Sequence, residues 1–202
     1  IDFFTNVAHE IRTPLTLIKG PLENIILKKH LDPETREDLN IMQHNTERLL
    51  NLTNQLLDFR KVESQGYRLN FAKCDITNVL RETYMRFTSL SRQKGFDLTL
   101  ELPEENFCAH VNREAFTKII SNLLNNGMKY ADTYVHIKLE VDAENQAFYV
   151  ITENDGVIIP DEMKEEIFQP FVRFSQKEEG KVATGAGIGL ALSRSLAELH
   201  RG

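Results

Sequence analysis

The sequence predicts an α+β protein in which a helical hairpin precedes an α/β sandwich. Residues 1–65 hold two amphipathic stretches joined by a short break. Residues 66–202 instead mix helical periods with alternating, strand-like runs, the pattern of a layered sheet-and-helix domain. We therefore expect two domains, 1–65 and 66–202.

The first amphipathic stretch follows a heptad pattern, which is typical of helices that pack along a seam. Its apolar residues recur at spacings of four and three: Phe4, Ala8, Ile11, Leu15, Ile18, Leu22 and Ile25. Asp32 and Pro33 suit the N-cap and the first position of a second amphipathic helix. One hairpin has too little core to be stable alone, so we predict that two copies form a four-helix bundle with Ile11–Leu22 as the dimer seam. The alternative is a hairpin that packs on the second domain.

The rest of the chain predicts the elements of the sandwich. Alternating residues predict a strand over 67–71, and Asp75 is placed to cap a helix over 76–94. Further strands are predicted over 96–102, 107–111, 134–141 and 147–152. Further helices are predicted over 113–130, 161–168 and 187–200.

Composition and hydropathy argue against a nucleic-acid-binding protein and against a membrane-spanning segment. The formal net charge is −6 and the pI about 5.6, whereas nucleic-acid-binding domains normally carry a basic surplus. No apolar run approaches the roughly 20 residues that a membrane span requires. We therefore expect no nucleic-acid partner, and contact with a membrane only through segments outside this chain.

The stretch VAHEIRTP combines residues that suit a chemical role better than a packing role. At about 100° per residue, His9 lies away from the seam and Thr13 lies one turn on, on the same outer side. Glu10 can take a proton from the imidazole or fix its tautomer, which makes the other ring nitrogen a better nucleophile. Pro14 costs a helix interior about 3 kcal/mol and permits a bend. The alternative is an ordinary surface histidine.

The stretch NLLNNGMKYA places three polar side chains on one helical face. Asn122, Asn126 and Lys129 follow one another at spacings of four and three. Amide oxygens suit Mg²⁺, which takes oxygen ligands, and a lysine meets a phosphate as a compact charge. The alternative is a solvated helix face. Gly127 costs the helix about 1 kcal/mol relative to alanine.

Three later stretches complete the set of candidate motifs. ENDGVIIP contains Asn154, Asp155 and Gly156, which would also form an ordinary tight turn. IFQPFVRF spaces Phe168 and Phe171 three residues apart, which predicts an apolar clasp for a lid. GAGIGLAL combines a run of glycines with an apolar helix start, where free N–H groups and close backbone approach suit phosphates. The residues concerned are Gly185, Gly187, Gly189 and Leu190.

Together these motifs resemble the sensor histidine kinases of two-component systems, over nearly the whole chain. The resemblance implies that His9 is phosphorylated from ATP and passes the phosphoryl group to an aspartate of a response-regulator receiver domain. It implies that Glu10 is the general base and that Thr13 supports removal of phosphate from the regulator. The second domain then resembles the ATP-binding sandwich of gyrase, Hsp90 and MutL.

The resemblance also assigns roles to the second domain. It implies that Asn126 holds Mg²⁺ with help from Asn122, that Lys129 contacts phosphate and that Tyr130 lies beside the nucleotide. Arg173 would meet the terminal phosphate. The lid residues Phe168 and Phe171, the three glycines and Leu190 would line the nucleotide site.

The chain departs from the family in the stretch that reads adenine. Counted back from Pro160, Asn154 stands where the family has an aspartate, and Ile158 stands where it has a second glycine, whereas Gly156 keeps the first. A register shifted by one residue would let Asp155 serve instead. These departures favour one alternative, a pseudokinase or dimeric scaffold. The His9 helix speaks against the other, an ATPase clamp.

The resemblance implies further properties of the whole protein. It implies a homodimer through residues 1–65 and a receiver domain supplied in trans or in the same polypeptide, as in hybrid sensors. It implies the cytoplasmic portion of a membrane-anchored bacterial sensor. Relatives continue beyond Leu199 and His200 with a closing strand that this sequence lacks, so we expect the C-terminal strand to be truncated.

Overall fold

The computed structural model describes residues 3–27, 31–64, 68–174 and 187–202, with only the backbone of 3–6 and of His9. The chain divides into a helical unit within residues 3–64 and a mixed unit over 68–174 and 189–202. This order of elements confirms the predicted fold class. No helix in the described ranges combines the length and apolarity that a membrane crossing requires.

The helical unit is an antiparallel hairpin of α1 (Phe3–Ile26) and α2 (Pro33–Glu63). Asp32 caps α2 as expected, because its carboxylate accepts a 2.8 Å hydrogen bond from the Thr35 backbone N–H. This bond, and another from the Thr35 hydroxyl, hold the pKa of Asp32 below its usual value. Between the helices, Arg12 donates to Asn54 over 2.5 Å.

The heptad residues of α1 do not share one environment. Ala8, Leu15 and Leu22 are buried in the single chain, where α1 packs against α2. Ile11 and Ile18 remain 44% and 48% exposed. The predicted seam of Ile11, Leu15, Ile18 and Leu22 is therefore corrected. Leu15 and Leu22 stabilise the hairpin itself, whereas Ile11 and Ile18 remain available for contact with a second copy.

The mixed unit contains two small sheets. β1 (Ala72–Asp75) pairs antiparallel with β3 (Cys108–Val111). The second sheet has the order β2–β4–β5, built from β2 (Asp97–Glu101), β4 (Tyr134–Asp142) and β5 (Ala147–Asn154). β2 runs parallel to β4, and β5 returns antiparallel to it. The last residue of β5, Asn154, lies opposite Val135 near the start of β4.

Three helices complete this unit: α3 (Ile76–Lys94), α4 (Arg113–Tyr130) and α5 (Gly189–Leu199). The buried cluster is formed by residues of α3, α4 and the strands, including Ile76, Leu80, Ile120, Leu124 and Ile137. Asp75 and Asn112 cap α3 and α4 through bonds of 2.8 and 2.9 Å to backbone N–H groups. The polar face of α4 is thus held at a fixed place over the sheet.

His200 ties the end of α5 to the start of α4. Its Nδ1 lies 2.7 Å from the Leu196 carbonyl, and its Nε2 accepts a 3.1 Å hydrogen bond from the Asn112 backbone N–H. One nitrogen must donate and the other accept, so these partners select the neutral Nδ1-protonated ring. The two helices that carry candidate site residues are therefore joined at this end.

Two predicted elements differ in the structure. Over the described residues 68–71, the strand predicted over 67–71 is wrong: the ladder begins at Ala72, because its partner strand ends opposite it at Val111. Tyr67 lies outside the described residues. The single helix predicted over 161–168 is instead two short 3₁₀ turns, Asp161–Met163 and Glu166–Phe168. Their bonds span three residues, as from the Lys164 N–H to the Asp161 carbonyl, and do not continue as an α-helix.

Candidate active site

The histidine motif lies on α1, with Pro14 inside the helix. His9 belongs to the described backbone of that helix, and its side chain lies outside the described residues. Glu10 and Thr13 are exposed. The motif is thus carried on a helix, and its acid faces solvent.

Asn122 has a fixed amide orientation. Its Nδ2 donates hydrogen bonds of 3.2 Å to the Gly189 carbonyl and of 3.2 Å to the Ser193 hydroxyl, both on α5. The Ser193 hydroxyl in turn donates to the same carbonyl over 2.9 Å. Because both amide hydrogens are used by α5, the side-chain oxygen is left as the group that can accept or ligate.

Asn126 and Lys129 lie further along the same face of α4. Asn126 is half-buried, and within the described ranges its amide has no hydrogen-bond partner. The Lys129 ammonium donates to the Tyr130 hydroxyl over 2.6 Å and lies 4.3 Å from the centre of that ring. The Lys129 ammonium is therefore held beside Tyr130, with donors left that could meet an anion.

Gly127, which the sequence indicated only as a cost to the helix, has a packing role. An added Cβ would lie 3.0 Å from Val135 Cγ1 and 3.7 Å from Thr152 Cγ2. Since Val135 is fully buried, it has little room to move. The glycine lets α4 pack closely on β4 and β5, beneath the polar face.

Gly156 touches the end of α4. A Cβ on this residue would lie 1.6 Å from the Tyr130 carbonyl oxygen and 3.0 Å from the Asn154 Nδ2. No side chain fits in that space, so only glycine allows the turn after β5 to reach the helix end. Asn154, Gly156 and Tyr130 are brought together here.

We expect Gly156→Ala to lower ATP affinity by at least about tenfold, because the backbone on one side of the contact must move. Binding of a fluorescent ATP analogue to the full chain measures this. Gly20→Ala is the matched control, since an added Cβ at Gly20, within α1, meets nothing within 4 Å. If Gly156→Ala binds the nucleotide as tightly as the wild type does, Gly156 does not belong to the nucleotide site.

Asp155 is fully engaged by the turn that follows α4. It accepts hydrogen bonds from the backbone N–H groups of Asp132, Thr133 and Tyr134 at 3.0–3.1 Å, and from the Thr133 hydroxyl at 2.5 Å. The Thr133 hydroxyl and these N–H groups hold the pKa of Asp155 far below its usual value. Two residues were candidates for a hydrogen bond to the base. Because the turn occupies the carboxylate of Asp155, Asn154 is the candidate that remains.

The expected aromatic clasp is not formed. Phe168 is half-buried with the Arg194 guanidinium 5.5 Å from its ring centre, whereas Phe171 is 62% exposed. Phe171 also has a φ of 68°, a left-handed conformation that is uncommon for a bulky residue. Arg173 is exposed two residues later. The predicted clasp is therefore wrong, because the chain turns at Phe171 instead of continuing the short helix.

The glycine-rich stretch is described only at its end. Gly185 lies outside the described residues. Gly187 has a φ of 70°, which favours glycine, and α5 begins at Gly189 with Leu190 half-buried in its first turn. The first N–H groups of a helix have no partner within it, so they point to where an anion would bind.

Two family models match the chain. Residues 1–65 match the His Kinase A (phospho-acceptor) domain, and residues 111–202 match the histidine kinase-, DNA gyrase B- and HSP90-like ATPase. These two domains, in this order, support a histidine kinase catalytic core. The phosphoacceptor match contains the His9 motif, and the ATPase match contains every candidate residue of the second domain.

Individual proteins agree with this assignment. The chain is 32% identical over its whole length to Histidine kinase P4 of Formosa agariphila, of which it spans 15%. It thus spans a small part of the curated relatives it matches. Full-length ShkA, solved with AMPPNP, shares the fold at a TM-score of 0.77 and 22% identity over 97% of this chain and 40% of that one.

A second solved structure contains a kinase together with its regulator. It is histidine kinase ThkA in complex with response regulator protein TrrA. This kinase chain matches it at 29% identity and a TM-score of 0.59, over 83% of this chain and 49% of that one.

The kinase site includes residues that the sequence analysis missed. Ser193 helps to orient Asn122, Thr133 binds Asp155, and Arg194 covers Phe168 while pairing with Glu165 at 2.8 Å. Ser193 and Arg194 lie on the helix that follows the glycines, so its helical period was one available signal. Nothing local to Thr133 pointed to Asp155.

Proposed function

We propose that this histidine kinase core transfers the γ-phosphoryl group of ATP to His9 and then to an aspartate of a response-regulator receiver domain. The observation that carries the proposal is the match of residues 1–65 to a phosphoacceptor domain, with His9, Glu10 and Pro14 on one helix. In this proposal, residues 1–65 form the dimerisation and phosphoacceptor domain, and residues 66–202 form the ATP-binding domain. The comparisons favour the kinase over the scaffold, because the relatives are named as kinases.

In the first step, an imidazole nitrogen of His9 attacks the γ-phosphorus, and the bond from that phosphorus to the bridging oxygen of ADP breaks. Glu10 accepts the ring proton, so the phosphorylated imidazole stays neutral. In the second step, a receiver carboxylate attacks the phosphorus, the phosphorus–nitrogen bond breaks, and the imidazole takes up a proton from solvent. Thr13 positions water when the regulator is dephosphorylated.

The donor set of α4 fits a hard cation. The Asn122 oxygen is left unused by the bonds to α5, and the half-buried Asn126 amide offers a second oxygen. Mg²⁺, when bound there, neutralises charge on the phosphates of ATP. Asn126 would be its ligand and Asn122 its support.

The remaining residues would hold the nucleotide. Asn154 accepts a hydrogen bond from the adenine amine beside Gly156 and Tyr130. Lys129, Arg173 and the backbone of the glycine-rich stretch bind phosphates, and Phe168 and Phe171 belong to the lid. Support comes from the close approach of Gly156 to Tyr130 and from the start of α5 at Gly189.

The dimer would use the apolar residues of the hairpin that remain exposed. Among the heptad residues of α1 these are Ile11, Ile18 and Ile25, and on α2 they include Met42 and Leu49. They repeat at heptad spacing, which favours a second copy of the same hairpin as the occupant, in a four-helix bundle.

We expect Ile18→Glu to convert the dimer to a monomer, because a charge at the interface would be buried without a partner. Ile18 is 48% exposed in the single chain, so the hairpin itself should tolerate the change. Sedimentation velocity measures the oligomeric state. Leu17→Glu is the control, since Leu17 is 70% exposed and lies outside the heptad face. A dimeric Ile18→Glu chain would contradict this seam.

The receiver domain would act in trans or as part of the same polypeptide. The solved complex of ThkA with TrrA supports a regulator as the partner. We further propose that this core is the cytoplasmic portion of a membrane-anchored bacterial sensor, with the anchor in segments outside this chain. The naming of a relative as a sensor histidine kinase supports this.

Incubation of the full chain with γ-labelled ATP and Mg²⁺ tests the proposal. Phosphohistidine is labile to acid and stable to base, so the label should be lost in acid and retained in base. Unlabelled protein would favour a scaffold, and free phosphate without labelled protein would favour an ATPase clamp.

A further inference from the structure

Asp155 joins two parts of the proposed nucleotide site that lie far apart in the sequence. Its carboxylate sits directly after β5 and binds the turn at residues 132–134, directly after α4. Three consecutive backbone N–H groups converge on it, and the Thr133 hydroxyl adds a fourth donor. A carboxylate offers about four acceptor positions, and here the turn occupies them.

The neighbouring residues show why this joint matters for a ligand. Asn154 precedes Asp155 and Gly156 follows it, and Gly156 has no room for a Cβ against the Tyr130 carbonyl. The end of β5 and the end of α4 are thus held together at adjacent points. A shift of the turn would displace Asn154 and Tyr130 relative to each other.

We propose that Asp155 is a positioning residue, which clamps the 132–134 turn so that Asn154 is presented to the adenine base while Asp155 itself does not contact the nucleotide. The inference rests on the proposed nucleotide site. Because every donor favours the charged carboxylate, the clamp is present at neutral pH. It is lost only as the pH falls below the ordinary range of an aspartate, about 3.9.

The test compares Asp155→Asn with Glu153→Gln in the full chain. Glu153 is exposed on β5 two residues away, so its variant removes the same charge without touching the turn. In Asp155→Asn, an NH₂ group replaces one acceptor oxygen and faces N–H and O–H donors. We expect hydrogen exchange at the amides of Asp132, Thr133 and Tyr134 to rise about tenfold in this variant alone. Unchanged exchange would overturn the clamp.

Nucleotide binding separates positioning from base reading. Asp155→Asn should weaken ATP about five- to tenfold and lower the preference for ATP over GTP, because a displaced Asn154 no longer meets the adenine amine. Asn154→Asp should instead raise the preference for ATP over GTP about fivefold, since charge-assisted hydrogen bonds are roughly twice as strong as neutral ones. If Asp155 acts through Asn154, Asp155→Asn should have little further effect on that preference in an Asn154→Ala chain. A full effect in that chain would show that Asp155 reads the base itself, and would overturn the proposal.

Thr133→Val keeps the test decisive if Asp155→Asn folds poorly. It removes one donor and leaves the three backbone N–H donors, so a smaller loss of ATP affinity and of the preference for ATP is expected. Wild-type affinity in both Asp155→Asn and Thr133→Val would overturn the positioning role. A wild-type chain that binds neither nucleotide would overturn the proposed function instead.

Discussion

Replacement of His9 by glutamine is expected to abolish the acid-labile label completely. An amide nitrogen has its lone pair delocalised into the carbonyl, so glutamine cannot attack phosphorus as an imidazole does. ATP binding should be unchanged, because the asparagines of α4 and the turn at Gly156 belong to the other structural unit. Autoradiography after incubation with labelled ATP measures the first effect, and calorimetry measures the second.

His44→Gln is the matched control for this experiment. His44 is an exposed histidine on α2 of the same hairpin, without the acid and proline that accompany His9. Its variant should label as the wild type does. Base-stable, acid-labile phosphate on His9→Gln would move the acceptor to another histidine.

Local sequence was sufficient to predict the two longest helices of the mixed unit. The predicted ranges 76–94 and 113–130 are those of α3 and α4, because capping side chains and helical periodicity act within a few residues. The strand placed over 67–71 failed because alternation shows which segment is able to pair, and only the partner strand decides where pairing begins.

The heptad of α1 shows a second limit of sequence reasoning. Periodicity correctly placed the apolar residues on one face, and it predicted a single seam. In the hairpin, Leu15 and Leu22 are buried while Ile11 and Ile18 stay exposed. Spacing alone cannot show which apolar residues pack against α2 and which face a second copy, because both contacts require apolar side chains.

The candidate site was predictable where a residue acts through its own chemistry. The amides of Asn122 and Asn126 were identified from their spacing on α4. The contact of Asp155 with the 132–134 turn was not predictable, because its hydrogen-bond partners lie 21–23 residues away in the sequence. Gly156 was expected from its motif, yet the reason for it, the carbonyl of Tyr130, exists only in the folded chain.

The acid beside the phosphoacceptor is expected to have the second-largest effect on the reaction. Glu10→Gln should slow the labelling of His9 by roughly 10²–10⁴, the usual contribution of a positioned general base. Glutamine keeps the size of the side chain and the acceptor oxygen that can fix the imidazole tautomer, but it takes up no proton. Rapid-quench measurement of the labelling rate at saturating ATP reports this step separately from nucleotide binding.

Glu23→Gln is the control for the loss of one negative charge from α1. The Glu23 side chain is 46% exposed, and it pairs with Lys19 at 3.6 Å on the helix surface, where an ion pair contributes little. Its variant should label at the wild-type rate. If Glu10→Gln also labels at that rate, Glu10 is a surface acid and the proton of His9 leaves by another route. If the rate falls while the affinity for ATP holds, proton removal by Glu10 is the step that the substitution impairs.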